Sequence, residues 1–210
     1  MPEAENECAM NGCSRRVVLT SLLALLAPAA ARSTTELDSQ TLKVLEAALA
    51  QTQLRVTYDG SYRRIPYPGG DVPRTIGVCT DVVIRAYRAI GVDLQRLVHE
   101  DMSSAFEAYP QLWGARRPDP NIDHRRVPNL QTYFHRRGAA LPVTTKPERF
   151  LPGDLVTWML PGNLPHIGMV IDRLSRDSGH RLIVHNVGRG PRVEDALFQF
   201  HITGHYRYRP

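Results

Sequence analysis

Three residues of this chain, one cysteine and two histidines, are of the types that nucleophilic catalysis needs. Cys79 stands at the expected start of a helix, where free backbone N–H groups and the helix dipole favour a thiolate. We therefore expect the pKa of its thiol to be lowered. A thiolate nucleophile needs an imidazole nearby to move protons, and that imidazole needs a polar group to orient it. His166 and His185 are the candidates for these two roles.

Cys79 also stands alone once an expected export signal has been removed. Residues 1–31 have a polar start, two arginines, a short apolar run and an Ala-rich end, the layout of a secretory signal peptide. Their "SRRVVLT" stretch resembles a twin-arginine signal. The apolar run is shorter than the roughly 20 residues of a membrane helix, so we expect no stable membrane anchor. Cys8 and Cys13 lie within this signal, which leaves Cys79 as an unpaired thiol in an exported chain.

The elements that must position these residues divide the chain into a helical part and a strand-rich part. Apolar spacing predicts helices at 34–54, 79–91, 93–109 and 127–138. Short apolar runs predict strands at 152–160, 166–174, 181–188 and 204–209. Helices followed by consecutive short strands indicate an α+β domain with an antiparallel sheet. If the second and third strands form a hairpin, His166 at the start of one lies close to His185 at the end of the other.

Composition and charge narrow the class of partner. The 210 residues include 26 Lys and Arg against 21 Asp and Glu, a formal net charge of +5. No basic helix and no motif of interleaved aromatic residues accompanies this charge, so we expect no nucleic-acid partner. A modest positive charge on an exported protein suits an anionic cell-wall polymer. His99, His124 and His135 stand in or beside charged segments, and we expect them to be solvated.

The order of the short motifs resembles the NlpC/p60 superfamily of papain-fold cysteine peptidases. The chain gives Tyr67, Gly69-Gly70, Cys79, "PGDLVTW", "HIGMV" and "IVHN" in that order, over residues 58–190. The larger set, with "VCTDV", "RRVPNL" and "GHYRY", resembles more closely the exported bacterial group called domain of unknown function 1287. The resemblance implies a papain-like fold with N-terminal helices packed on a small antiparallel sheet. It also implies a hydrolase domain at 58–210. The first helix predicted from apolar spacing lies in the segment 32–57 that precedes this domain.

The same resemblance implies the catalytic roles. Cys79 becomes the nucleophile, His166 the general base and acid, and His185 the residue that orients His166. The Cys79 backbone N–H becomes one donor to the oxyanion. The loops at 58–78 and 110–128 are expected to shape the substrate groove.

Three further residues are candidates for substrate or oxyanion contacts: Tyr67, Asp81 and Asn186. Tyr67 precedes the Gly-Gly pair, and Asn186 follows His185. Asp81 lies two residues after the cysteine, where a carboxylate opposes ionisation of the thiol unless an arginine such as Arg74 neutralises it. Its simpler role is to cap the helix.

These features together predict an exported cysteine hydrolase that cleaves an amide bond, with peptidoglycan stem peptides as the expected substrate and no cofactor or metal. Three alternatives remain open. A cysteine and two histidines can hold zinc with an open fourth position, although the chain has no HExxH or CxxC motif. A non-catalytic module could bind peptidoglycan in the same groove. Acyltransferases share the architecture, so the choice between hydrolysis and acyl transfer stays open.

Overall fold

Four helices and eight strands fold residues 37–210, the part of the chain that the computed structural model describes. The expected signal peptide at 1–31 and the first residues of the expected segment 32–57 lie outside this part. No helix within it is long and apolar enough to cross a membrane. The helices are α1 (Ser39–Ala50), α2 (Cys79–Arg88), α3 (Leu94–Ser104) and α4 (Val127–Arg136).

Local signals in the sequence explain where these helices begin. The Asp38 carboxylate accepts a hydrogen bond from the Thr41 backbone N–H at 2.8 Å, and this caps α1. Asp93 caps α3 in the same way, accepting from the Gln95 backbone N–H at 3.0 Å. Pro128 lies in the first turn of α4, where its missing N–H costs no helical hydrogen bond.

Two sets of strands are present within residues 37–210. The strands are β1 (Thr57–Tyr58), β2 (Ile76–Gly77), β3 (Ala140–Leu141), β4 (Leu155–Leu160), β5 (Leu164–Leu174), β6 (Arg181–His185), β7 (Arg192–Glu194) and β8 (His201–Tyr206). β1 and β2 pair in parallel, and the other six form an antiparallel sheet in the order β3-β8-β4-β5-β6-β7. The predicted α+β class with an antiparallel sheet is therefore confirmed.

Both faces of the sheet are covered. Successive residues along a strand point to opposite faces, and the two faces pack in two different apolar clusters. One cluster joins the helices to the sheet and includes Leu155, Ile167, Met169 and Val184. The other lies on the opposite face and includes Val156, Trp158, Val170, Ile183 and Leu197. Cys79 belongs to the first cluster, so the start of α2 is packed directly against the sheet.

The structure corrects several predicted boundaries and one predicted environment. α1 and α3 are shorter than predicted, and each is followed by a single 3-10 turn, at Gln51–Gln53 and Phe106–Ala108. β1, β2, β3 and β7 were not predicted, since two or three residues are too few to show a period. The prediction that His124 is solvated is also wrong. Its imidazole is 2% exposed because its turn packs against α2, α3 and α4.

Candidate active site

Cys79 is the first residue of α2 and lies at the base of a groove of about 380 Å³. Its side chain is only 3% exposed. The walls come from the loops predicted to shape the groove, with Tyr58, Tyr62, Trp113 and Arg126 among the lining residues. The Arg126 guanidinium lies 4.6 Å from the centre of the Trp113 ring, so one wall is both aromatic and cationic.

The thiol of Cys79 is protonated in the resting site. Burial raises its pKa to about 11, although the Ile167 backbone N–H and the Tyr58 phenol lower it in part. The expectation that the helix N-terminus lowers this pKa is therefore wrong for the resting structure, because desolvation of the thiolate outweighs the helix. The Ile167 N–H belongs to the peptide that joins it to His166. The sulfur thus adjoins β5 at the predicted base, although Cys79 and His166 share no hydrogen bond among residues 37–210.

His166 and His185 meet across the β5–β6 hairpin, as the sequence predicted. Nε2 of His166 and Nδ1 of His185 are 2.9 Å apart. The register pairs Gly168 with His185, so His166 lies diagonally across from its partner on the same face. A Cβ atom at Gly168 would lie 3.0 Å from the His185 Cβ and 2.6 Å from Ile183 Cγ2. Only glycine leaves room for this approach.

A glutamate extends the pair into a chain of three groups. Nε2 of His185 is 2.8 Å from a carboxylate oxygen of Glu194 on β7. Burial and, to a smaller extent, the neighbouring His185 together lower the pKa of His166 to about 3. Burial also lowers the pKa of His185, although Glu194 opposes that shift. Both imidazoles are therefore neutral near pH 7.

Asp81 has a structural partner that sequence reasoning did not name. Its carboxylate accepts two hydrogen bonds from the Arg125 guanidinium, each at 2.9 Å, and the pair is buried. The same carboxylate accepts from the Val78 backbone N–H at 2.6 Å and so caps α2. Arg125, rather than the exposed Arg74, neutralises Asp81. The capping role of Asp81 is the one its contacts support.

The structure does not bring Tyr67 to the groove. Its ring packs edge-to-face on His99 of α3, with ring centres 5.0 Å apart, and it does not line the groove. Tyr58 takes the position beside the sulfur instead. Asn186 is buried, and its amide donates to the Gly77 carbonyl at 3.2 Å, so it joins the end of β6 to β2. Neither Tyr67 nor Asn186 lines the groove that holds Cys79.

Three contributors to the site escaped sequence reasoning: Tyr58, Arg125 and Glu194. Tyr58 lies in the loop that was expected to shape the groove. The sequence therefore pointed to this segment but not to this residue. Arg125 belongs to the Arg-rich stretch that was interpreted as loop. Glu194 lies in a three-residue strand without a recognisable motif, and only the pairing of β7 with β6 brings it to His185.

The donor atoms do not favour the zinc alternative. Within the part of the chain that the structure describes, no three His, Cys, Asp or Glu side chains are grouped to hold a metal ion. The two facing nitrogens of His166 and His185 bond to each other at 2.9 Å, so they do not converge on a shared point beside Cys79.

Comparison with known proteins places this site within a family. Residues 45–208 match the family described as Domain of unknown function (DUF1287). The chain belongs to the DUF1287 family. It is also 48% identical over 185 residues to the uncharacterized protein YijF of Escherichia coli (strain K12), across 88% of this chain and 90% of that protein. The matched DUF1287 segment contains Cys79, His166, His185 and Glu194.

Proposed function

We propose that this DUF1287 protein is an exported cysteine hydrolase that cleaves an amide bond. Cys79 is the nucleophile, His166 the general base and acid, and His185 the residue that orients His166. The observation that carries the proposal is the hydrogen-bonded chain from Glu194 through His185 to His166, which ends beside the peptide that faces the Cys79 sulfur.

The resting protonation states define the first chemical step. A thiol with a pKa of about 11 and an imidazole with a pKa of about 3 that share no hydrogen bond do not form a resting ion pair. The Cys79 proton therefore moves to His166 as the sulfur attacks the substrate carbonyl, after substrate in the groove has brought the two groups together. Backbone N–H groups in the first turn of α2, without helical acceptors of their own, are the proposed donors to the oxyanion.

The second half of the reaction returns the site to its starting state. His166 gives its proton to the leaving amine as the C–N bond breaks, and a thioester remains on Cys79. Water then attacks the thioester while His166 accepts one proton from it. The C–S bond breaks, and His166 returns that proton to the departing sulfur. The released products are an amine and a carboxylic acid, and the Cys79 thiol is restored.

Peptidoglycan stem peptides are the proposed substrate. Support comes from the motif order that resembles NlpC/p60 peptidases, with their papain-like fold, and from the export signal expected at 1–31. The groove adds a physical reason, because its lining includes Arg126, whose guanidinium stacks on Trp113, but no Asp or Glu. Such a wall suits a peptide that carries carboxylates. Acyl transfer stays possible at the same site if an amine replaces water in the second step.

Incubation of the protein with purified sacculi and with defined stem peptides tests this proposal. We expect new amine and carboxyl ends by mass spectrometry with the wild type and none with Cys79→Ala. His135→Gln is the matched control, since His135 is exposed on α4 and should leave cleavage unchanged. Cleavage that survives in Cys79→Ala would remove the nucleophile from the proposal. Binding without cleavage by the wild type would favour the non-catalytic module.

A further inference from the structure

Either His166 or His185 can be the donor in the hydrogen bond between them. Only when His166 donates does its other ring nitrogen, Nδ1, stay bare and able to accept a proton. Both imidazoles are neutral, so each carries one N–H and one bare nitrogen. If His185 donates from Nδ1, Nε2 of His166 is bare and its proton is on Nδ1. If His166 donates from Nε2, its Nδ1 is bare and can accept a proton. The 2.9 Å distance alone does not distinguish the two.

Glu194 distinguishes them. A carboxylate has no proton to give, so the 2.8 Å contact requires the proton on Nε2 of His185. Nδ1 of the neutral His185 is then bare and accepts from Nε2–H of His166. Nδ1 of His166 is bare in turn, and it makes no hydrogen bond to any residue of 37–210. One carboxylate thus sets the proton positions on two rings.

We propose that Glu194 is a positioning residue that fixes the tautomers of both histidines and so makes Nδ1 of His166 the base. This inference rests on the proposed function, since it specifies the atom that accepts the Cys79 proton. Glu194 does not touch the groove that holds Cys79. It acts from a separate depression on the other side of His185.

The surroundings of Glu194 leave one oxygen free for this contact. Its side chain is 38% exposed, and its second oxygen is 3.8 Å from the Arg192 guanidinium. Arg189 and Asp195 are the other charged residues that line the depression. The 3-10 turn Gln51–Gln53, which packs against β7, contributes no titratable group. Among the residues that line this depression, His185 is therefore the one imidazole that the Glu194 carboxylate can orient.

Tautomers are read directly by nitrogen-15 NMR of histidine-labelled protein, because bare and protonated ring nitrogens resonate far apart. In the wild type at pH 7 we expect Nε2–H on both His166 and His185, with both Nδ1 atoms bare. Glu194→Met keeps the chain length but removes the acceptor, so the Nδ1–H forms should become populated on both rings. Glu194→Gln keeps an acceptor oxygen and should retain the wild-type pattern in large part.

Turnover gives the second readout. Glu194→Met should lower kcat roughly 10²-fold with KM unchanged, the lower end of what a general base contributes. Asp195→Asn is the matched control, since Asp195 lines the same depression without touching His185. Its tautomers and kcat should both equal those of the wild type.

Two outcomes overturn the inference. One is an Nδ1–H signal on His166 of the wild type, and the other is a Glu194→Met protein whose tautomers do not change, whatever its activity. A tautomer shift in Glu194→Met supports the inference even if the wild type cleaves no amide. In that case only the proposed function fails, so the two failures are distinguishable.

Discussion

At the scale of single residues, the Cys79 thiol shows how burial and helix position compete. A helix N-terminus stabilises a nearby anion by about 0.3–1 kcal/mol. Burial and the neighbouring groups together move the pKa of this thiol from 9.0 to about 11. At 1.36 kcal/mol per pKa unit, that is about 3 kcal/mol against the thiolate. The larger effect decides the protonation state, so the resting Cys79 is a thiol. In the proposed mechanism its activation therefore depends on proton transfer to His166.

The Tyr58 phenol is one of the groups that lower the pKa of Cys79, so Tyr58→Phe should raise it further. A hydrogen bond worth about 1 kcal/mol corresponds to roughly a threefold to tenfold fall in thiolate at a given pH. Iodoacetamide labelling between pH 7 and 10 measures this, in a Cys8→Ser, Cys13→Ser background that leaves Cys79 as the only thiol. Tyr67→Phe is the control and should label as the unmodified background does.

Labelling of the folded background protein should also be slow near pH 7 and accelerate as the pH approaches 11. Rapid labelling of Cys79 at pH 6 would show that the thiolate is present at rest and that burial does not control this group. Equal rates for Tyr58→Phe and Tyr67→Phe would remove Tyr58 from the surroundings of the sulfur.

At the scale of elements, the pairing of β5 with β6 creates the histidine pair. The register pairs Gly168 with His185, and the missing side chain at 168 lets the two rings meet on one face. The start of α2 packs on the opposite side of Ile167, and this brings the sulfur to the first residues of β5. A one-residue shift in the register of β6 against β5 would move His185 to the other face of the sheet, and the hydrogen bond to His166 would be lost.

Gly168→Ala should separate the two strands at this point and destabilise the fold by about 1–3 kcal/mol, the usual cost of an overpacked contact. Urea unfolding measures the change. Gly60→Ala is the matched control, because its Cβ would meet only Val78 Cγ1 at 3.5 Å, an ordinary contact. Adding Ile183→Leu removes the methyl group that clashes at 2.6 Å and should restore part of the loss. A Gly168→Ala protein as stable as Gly60→Ala would contradict this packing.

At the scale of the whole molecule, buried neutral histidines make the fold sensitive to mild acid. Burial lowers the pKa of His124 and of His166 to about 3 in the folded state, against about 6.5 in an unfolded chain. Between these values the unfolded chain binds more protons, so stability falls as the pH drops from about 6.5 towards 3. Asp101 and Asp154 have pKa values below 3.8, so their contribution is lost only in stronger acid.

Removing one buried histidine should flatten this dependence. His124→Gln should reduce the slope of the unfolding free energy between pH 4 and 6 by about 1.4 kcal/mol per pH unit, one proton's worth. Urea unfolding at several pH values measures the slope, which does not depend on any constant loss of stability. His135→Gln, at an exposed position, should leave the slope unchanged. An unchanged slope in His124→Gln would show that His124 is protonated in the folded state.

Much of the architecture was predictable because it depends on local signals. The helix starts at Asp38, Cys79, Asp93 and Pro128 follow capping and proline rules, and the strand runs from 155 to 185 show their apolar character directly. The hairpin contact between His166 and His185 was also predictable, since it joins neighbouring strands. The signal peptide at 1–31 stays a prediction.

The sequence by itself determined the α+β class, the position of Cys79 at the start of a helix and the pairing of two histidines. Only the tertiary structure decided that the thiol is protonated, that Arg125 rather than Arg74 neutralises Asp81, and that Tyr58 rather than Tyr67 adjoins the sulfur. It also brought Glu194 to His185. The physical reason is the same in each case: desolvation and long-range pairing depend on which distant segments pack together, and no local spacing in a sequence records that.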